Sequence, residues 1–155
     1  YGGYATEIAP GLNIDVGMIY YLHPNGDEAA GGSDYAELAS DVSYMLGPIE
    51  AQASLNYIWK QSALESDNIY ASFALGGGIP STPISVRAQV GHMDGGLVRF
   101  GPDGHFWDWS IGATANLGRV TAGVRYVDTS IPTTGVKAVD RFYDSQLLFT
   151  LGVSF

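Results

Sequence analysis

Cysteine, basic side chains and long apolar runs are what this sequence lacks. No cysteine occurs among its 155 residues, which excludes a disulfide framework and a cysteine-based zinc site. Lys and Arg number 7 against 16 Asp and Glu, and the net charge of −9 argues against a nucleic-acid partner, because phosphate binding needs a basic surface. No apolar run reaches the roughly 18 residues that mark a membrane-spanning helix. The sequence therefore predicts neither a nucleic-acid-binding protein nor a helical membrane protein.

Apolar residues are nevertheless abundant, and they alternate with polar ones. Hydrophobic residues make up 46% of the chain and charged residues only 15%, which is ample apolar content for one folded domain. The last stretch, Tyr143 to Phe155, shows the pattern most clearly: its odd positions from Leu147 onwards are all apolar, and its even positions are mostly polar or small. A period of two predicts a β-strand with two different faces.

The same alternation divides the chain into nine predicted strands. They span residues 1–9, 12–23, 34–46, 49–60, 67–79, 84–93, 105–117, 120–129 and 143–155. The predicted connections alternate in length, with short turns at 10–11, 47–48, 80–83 and 118 and longer loops at 24–33, 61–66, 94–104 and 130–142. No segment has helical periodicity, so we expect an all-β protein whose antiparallel strands run up and down in sequence.

Two features favour a transmembrane β-barrel over a soluble one. Outer-membrane barrels have short turns at one end and long loops at the other. In addition, the polar face of the strands carries Gly, Ser, Thr, Asn, Gln and a few charges, whereas the outside of a soluble barrel needs abundant Lys and Glu. We therefore predict a single-domain, up-and-down transmembrane barrel over residues 1–155, with its apolar face towards lipid. A soluble β-barrel is the alternative fold.

Aromatic residues on the apolar face are sorted by depth, as in the girdles of membrane barrels. The predicted girdle comprises Tyr20, Tyr57, Trp59, Trp107, Trp109 and Tyr126 near the loop end and Tyr44 near the turn end. Phe155, the aromatic residue at the end of the alternating strand 143–155, resembles the recognition signal of the outer-membrane assembly machinery. We therefore expect the last strand to bind that machinery.

Ionisable residues on the polar face are the candidate lining of a lumen. They are Glu7, Asp15, Glu37, Asp41, Glu50, Lys60, Arg87, Asp108 and Arg125, with Asp144 at the edge of the predicted wall. Because carboxylates outnumber cations, this set predicts a pore with a mild preference for cations. The alternative is that Arg87 and Arg125 pair with neighbouring carboxylates and brace the interior, since buried charges are normally paired.

The strand count raises the question of closure. Bacterial single-chain barrels usually have an even number of strands, and an open sheet of nine would leave two unpaired edges in lipid. We therefore expect further amino-terminal strands before Tyr1, so that this chain is the carboxy-terminal portion of a larger barrel.

Four stretches carry a resemblance to a known family. They read GLNIDVGMIYYLHP at 11–24, YAELASDVSYMLGPIEAQASLNYI at 35–58, WDWSIGATANLGRVTAGVRYVDTS at 107–130 and LLFTLGVSF at 147–155. These stretches resemble the TorF-type porins, which are bacterial outer-membrane proteins, and the resemblance runs over the whole chain. It implies a porin without catalytic residues, and about three further amino-terminal strands, or about twelve in all, which is an even number.

Other site types find little support in the sequence. His23, His92 and His105 lie in separate predicted strands without close ligand spacing, so we expect no metal. His92 lies in the apolar register near the loop end, where a lipid-modifying enzyme would keep a Ser–His pair, but no neighbouring Ser and acid can be identified. The predicted loops contain acidic residues, among them Asp27, Glu28, Asp94 and Asp103. These residues either bind divalent cations that bridge lipopolysaccharide or are simply solvated.

The sequence therefore predicts a porin of the bacterial outer membrane that lets small polar or cationic solutes diffuse passively. Its expected partners are outer-membrane lipid, lipopolysaccharide, the assembly machinery and the solutes, and no cofactor or enzymatic activity is expected. The alternatives are a non-conducting barrel with a structural or loop-mediated binding role and, less favoured, a lipid-modifying barrel enzyme.

Overall fold

The protein is a single meandering β-sheet with one helical turn. A computed structural model describes residues 1–23, 34–98 and 104–155. The strands are β1 (Gly2–Ala9), β2 (Leu12–Tyr21), β3 (Tyr35–Leu46), β4 (Ile49–Ile58), β5 (Asn68–Gly78), β6 (Ile84–Gly95), β7 (His105–Leu117), β8 (Val120–Thr129) and β9 (Gln146–Val153). The helical turn, α1 (Lys137–Asp140), lies between β8 and β9.

Each strand pairs antiparallel with its neighbours in the chain, and the spatial order is β1 to β9 without a crossover. The predicted all-β, antiparallel, up-and-down arrangement is confirmed. Within the described residues, β1 pairs only with β2 and β9 only with β8, so the sheet is not closed. The short connections β1–β2, β3–β4, β5–β6 and β7–β8 lie at one end of the sheet, which we call the turn end, and the opposite end is the loop end.

The tightest turns depend on glycine. Gly47 and Gly118 have φ angles of +63° and +66°, in the left-handed region that side chains with a Cβ rarely adopt. They begin the two-residue connections between β3 and β4 and between β7 and β8, where such backbone angles match the twist of the flanking strands. These connections fix the register of the two hairpins.

The register gives the sheet two faces of different chemistry, because residues paired across strands share a face. One continuous row of the apolar face consists of Leu12, Tyr44, Ala51, Leu75, Ala88, Ile111, Tyr126 and Leu147. A neighbouring row of the polar face consists of Asn13, Ser43, Gln52, Ala74, Gln89 and Ser110. The apolar and polar residues that alternate along each strand therefore form two continuous surfaces of the sheet.

Very little of the described chain is a conventional core. Its buried hydrophobic residues are Ala36, Ile58, Ala74 and Val98. The apolar face is instead exposed: on β9, the side chains of Leu147, Phe149, Leu151 and Val153 are between 56% and 76% exposed. No helix within the described ranges is long and apolar enough to cross a membrane.

Several strand ends differ from the predicted ones, and β9 differs most. The last strand begins at Gln146 and not at 143, because the N–H groups of Tyr143 and Asp144 both donate to the Asp140 carbonyl at 2.8 Å. Asp144 therefore lies outside the wall, and Phe155 lies beyond the end of β9.

Elsewhere β4 ends at Ile58, so Trp59 and Lys60 lie past it, whereas β6 extends to Gly95 because Asp94 pairs with Ile69. The segment from 130 to 142 contains α1, although no helix was predicted. The predicted loop at 24–33 and residues 99–103 of the loop at 94–104 lie outside the described residues.

Candidate functional site

The charged residues predicted to line a lumen lie together on the polar face. They are Glu7, Asp15, Glu37, Asp41, Glu50, Arg87, Asp108 and Arg125, carried by β1 to β4 and β6 to β8. A cavity of about 610 Å³ on this face is lined by residues from β3 to β9, so the polar face is the concave one. Five carboxylates occupy β1 to β4, whereas β6 to β8 carry both arginines and one carboxylate, Asp108, so the net charge changes sign across the face.

Six of these eight side chains are bonded to other described residues. The exceptions are Asp15 and Arg125, which have no hydrogen-bond or ion-pair partner within the described part of the chain. At the turn end, the carboxylate of Glu7 accepts the N–H of Gly11 at 2.7 Å. Near the loop end, the buried carboxylate of Glu37 accepts the hydroxyl of Tyr21 at 3.2 Å.

Asp15 and Asp41 stand directly opposite each other on β2 and β3. The carboxylate of Asp41 accepts hydrogen bonds from the Ser54 hydroxyl and from the Gln52 amide, the latter at 2.9 Å. Both carboxylates line a second cavity of about 340 Å³ together with Glu7, and Asn13 and Ser43 complete its polar wall. Like charges directly opposite each other destabilise a sheet, and the two hydrogen bonds to Asp41 offset part of this repulsion.

A row of alternating charge and glycine crosses the middle of the sheet. It consists of Glu50, Gly76, Arg87, Gly112 and Arg125 on successive strands β4 to β8, and we call it the charge–glycine row. Arg87 reaches over Gly76 to Glu50, with Nη1 and Oε1 3.3 Å apart, and its Nη2 donates to the Gln52 side chain. A Cβ at Gly112 would lie 2.8 Å from the Val124 carbonyl and 3.1 Å from the Arg125 Cβ. The glycines therefore make room for the long charged side chains.

A second polar network crosses the face closer to the loop end. The Tyr70 hydroxyl donates to Asp108 Oδ1 at 3.3 Å and accepts from the Gln89 amide at 3.4 Å. Tyr70 and Asp108 approach above Gly91, where an added Cβ would overlap the hydroxyl of Tyr70. Sequence reasoning missed this group because it depends on register: Gly91 pairs with both Ser72 and Asp108.

Six of the seven predicted girdle residues lie on strands, in the register of the other, apolar face, whereas Trp59 follows the end of β4. Three of the girdle tyrosines bind an aspartate close to the loop end: Tyr20 with Asp34 at 3.3 Å, Tyr57 with Asp67 at 2.7 Å and Tyr126 with Asp128 at 2.7 Å. The hydroxyl of Tyr57 and the backbone N–H of Lys60 hold the pKa of the Asp67 carboxyl below its usual range. Each ring thus has an apolar body on the sheet and a hydrogen-bonded polar end.

The histidines do not converge on one site. The ring centroids of His92 and His105 lie 5.8 Å apart and those of His92 and Trp107 4.5 Å apart, because β6 and β7 pair His92 with Trp107. His23 lies beside Asp34, with Nδ1 and Oδ1 3.8 Å apart. Within residues 1–23, 34–98 and 104–155, no three His, Cys, Asp or Glu side chains are grouped to hold a metal. The cross-strand partners of His92 are Ala71 and Trp107, and neither is a serine.

Between β8 and β9, the connection is organised by one buried carboxylate. Asp140 accepts the N–H and the hydroxyl of Thr134, both at 2.6 Å, and the N–H of Gly135 at 3.0 Å. These bonds, the one from the Thr134 side chain first, hold the pKa of Asp140 below its usual range. Nothing in the sequence pattern indicated this site.

The fold and this face define a class: an open, all-β, up-and-down sheet with one exposed apolar face and one concave polar face. The chain belongs to the Gcw_chp family, described as bacterial protein of unknown function, whose model matches residues 1–155. No curated protein and no solved structure matches it. That description carries no activity, so the resemblance to the TorF-type porins stays a prediction.

Proposed function

We propose that this chain forms the wall of a porin in the bacterial outer membrane, through which small polar or cationic solutes diffuse passively. One observation carries the proposal: nine neighbouring strands turn an exposed apolar face one way and a concave, charged face the other. Soluble monomers rarely expose apolar patches of more than a few hundred Å². In a lipid bilayer such a surface is in its preferred solvent.

The two edges of the sheet, β1 and β9, which are unpaired within the described residues, also require an explanation in a membrane. In lipid, the free backbone groups on the outer sides of β1 and β9 need hydrogen-bond partners, since each unsatisfied group costs about 2–7 kcal/mol. We propose that the sheet is part of a closed barrel of about twelve strands, in keeping with the even numbers of bacterial barrels. The exposed carboxyl-terminal strand and Phe155 would then be what the assembly machinery binds.

A lipid-quenching experiment tests the assignment of the apolar face. Trp107 and Trp109 lie in the apolar register of β7 and Trp59 directly follows β4, so lipids brominated in the acyl chain should quench the fluorescence of the reconstituted protein. The matched pair is a variant that keeps only Trp107 and one that carries only Phe106→Trp, on the polar face one residue away. Quenching confined to the first variant supports the lipid-facing assignment, and equal quenching of both contradicts it.

Planar-bilayer conductance of the full chain, refolded in detergent and measured across a salt gradient, tests the pore. Discrete steps with a cation-biased reversal potential are expected, because carboxylates outnumber arginines on the concave face. Asp15→Asn should move the reversal potential towards anion preference, whereas Glu65→Gln, in the connection between β4 and β5, should leave it unchanged. A folded protein without conductance steps contradicts the porin function.

A non-conducting barrel is the second candidate, and the cross-sheet bonds favour it. The Arg87–Glu50 ion pair and the Tyr70–Asp108 bond each bridge side chains over the concave face, as expected of a braced interior. Such a barrel would act through its wall or its loops, and the conductance measurement separates the two functions. A lipid-modifying enzyme remains the less favoured alternative, and loss of lipid hydrolysis in His92→Ala would support it.

A further inference from the structure

We propose that the cavity around Arg125 binds the carboxylate of a small aliphatic organic acid. The inference rests on the proposed pore function, since it names a solute that would pause on its way through. The excess of carboxylates over the whole face predicts a preference for cations, but the part of the concave face that carries the arginines has its own cavity and can bind an anion. That cavity of about 610 Å³ contains both Arg87 and Arg125.

The two arginines differ in their hydrogen-bond and ion-pair partners. The guanidinium of Arg87 is bonded to Glu50 and Gln52, on the side of β4. Arg125, on β8, has no hydrogen-bond or ion-pair partner within the described part of the chain. One carboxylate and two guanidinium groups leave the charge–glycine row with one positive charge. A monoanion is therefore the ligand that neutralises it.

Gly112 leaves space for such an anion between the two arginines. Neighbouring strands are about 4.8 Å apart, so the stems of Arg87 and Arg125 stand about 10 Å apart with only Gly112 between them. In the adjacent row towards the turn end, Gly123 lies between Thr114 and Thr150, and all three line the cavity. The Thr150 hydroxyl lies over Gly123, where an added Cβ would meet it at 2.5 Å, so the two hydroxyls are donors for an anion held beside them above Gly112.

The cavity is not uniformly polar, which favours an organic acid over an inorganic anion. Leu148, the cross-strand partner of Arg125 on β9, lines the cavity, and so does Met45 from β3. A planar guanidinium binds a carboxylate through two parallel hydrogen bonds. The aliphatic part of the acid can then contact Leu148, which a phosphate or chloride ion would leave uncovered.

The test is the binding of butyrate to the full chain refolded in detergent, measured by calorimetry and by NMR chemical shifts. Arg125→Gln should raise the Kd at least about tenfold, since a hydrogen bond to a charged group contributes that much or more. Arg119→Gln is the matched control, because Arg119 is exposed in the turn between β7 and β8 and does not line the cavity. Arg125→Lys keeps the charge but loses the planar guanidinium that can donate two parallel hydrogen bonds, so it should give an intermediate Kd.

Each outcome decides the proposal separately from the pore. Butyrate binding that is unaffected in Arg125→Gln, or absent from a folded and conducting wild-type protein, overturns the carboxylate site and leaves the pore standing. Inorganic phosphate or chloride that binds as tightly as butyrate overturns the choice of an organic acid. Binding that is lost in Arg125→Gln while the variant unfolds like wild type and Arg119→Gln keeps its affinity supports the site, even in a protein that does not conduct.

Discussion

Gln61 acts as a side-chain substitute for a strand residue beside Ala36. Its Oε1 accepts the N–H of Ala36 and its Nε2 donates to the Ala36 carbonyl, both at 2.8 Å, as a residue of a neighbouring strand would. The backbone of Gln61 forms a bridge with Leu64, which holds the amide in place. The ladder between β3 and β4, whose last pair is Leu38 with Tyr57, is thus continued by one side chain.

Gln61→Leu should lower the free energy of unfolding by about 1–3 kcal/mol, because Ala36 is buried and both of its backbone groups lose their partners. Denaturant unfolding in micelles and hydrogen exchange at the Ala36 N–H measure the effect. Gln146→Leu is the control: the exposed Gln146 amide makes a single bond, to the Arg141 carbonyl, and should matter less. Equal exchange at Ala36 in wild type and in Gln61→Leu would show that the amide does not protect it.

The assignment of faces makes a prediction at two adjacent residues of β9. Leu151→Arg places a cation on the exposed apolar face and should reduce stability in the bilayer by about 2–4 kcal/mol, whereas Thr150→Arg points into the concave cavity and should be tolerated. Heat-modifiable migration of the folded protein on gels and refolding yield in lipid measure the difference. Equal tolerance at both positions would mean that the faces are inverted.

Gly112, which lies between the two arginines of the charge–glycine row, should resist substitution. In Gly112→Ala the new Cβ meets the Val124 carbonyl at 2.8 Å, so the strands must shift at a cost of about 1–3 kcal/mol. Gly76→Ala meets its nearest atom at 3.3 Å and should cost less. Gly152→Ala on β9 meets nothing closer than 3.9 Å and should be neutral. The ranking is read from unfolding midpoints, and a neutral Gly112→Ala would contradict the close approach.

The connection around α1 should loosen in acid. Because the pKa of Asp140 is lower in the folded chain than in the unfolded chain, its stabilising effect is complete above the unfolded value of about 3.9. The effect is lost as the pH falls through the lower, folded value, when the carboxylate gains a proton and can no longer accept all three bonds. The protection factors of the Thr134 and Gly135 amides, which compare their exchange with that of an unfolded chain at the same pH, should therefore fall at low pH.

The matched variants separate Asp140 from its neighbours. Asp140→Asn should lower the protection factors of the Thr134 and Gly135 amides already at neutral pH and remove their further fall in acid. Asp144→Asn, at an exposed position nearby, should leave both unchanged. An acid dependence that persists in Asp140→Asn would assign the titration to another group.

The sequence predicted the strands and their faces well, since both follow from local alternation. Leu147 to Val153 alternate regularly, which predicted both the strand and the side chains that share its apolar face. The start of that strand was misplaced because Tyr143 and Asp144 continue the alternation, while their N–H groups are bound to the Asp140 carbonyl. Only the tertiary bond decides between turn and strand there.

Much of the candidate site was beyond prediction, because it depends on which residues the register brings together. The eight charged residues could be assigned to one face, but the sequence does not show that Arg87 spans Gly76 to reach Glu50 while Arg125 stays without a partner. Tyr70 and Asp108 are 38 positions apart, and only the pairing of β5, β6 and β7 brings them within 3.3 Å. Periodicity gives the face of a residue but not its neighbours.

The uninterrupted order β1 to β9 has a kinetic consequence. Every strand finds its partners immediately before and after it in the chain, so no pairing requires the ends of a distant segment to meet first. Closing a loop costs more entropy as the loop lengthens, and sheets built from sequence-local pairs fold faster than those built from remote ones. The chain can therefore assemble hairpin by hairpin, with each finished strand serving as the template for the next.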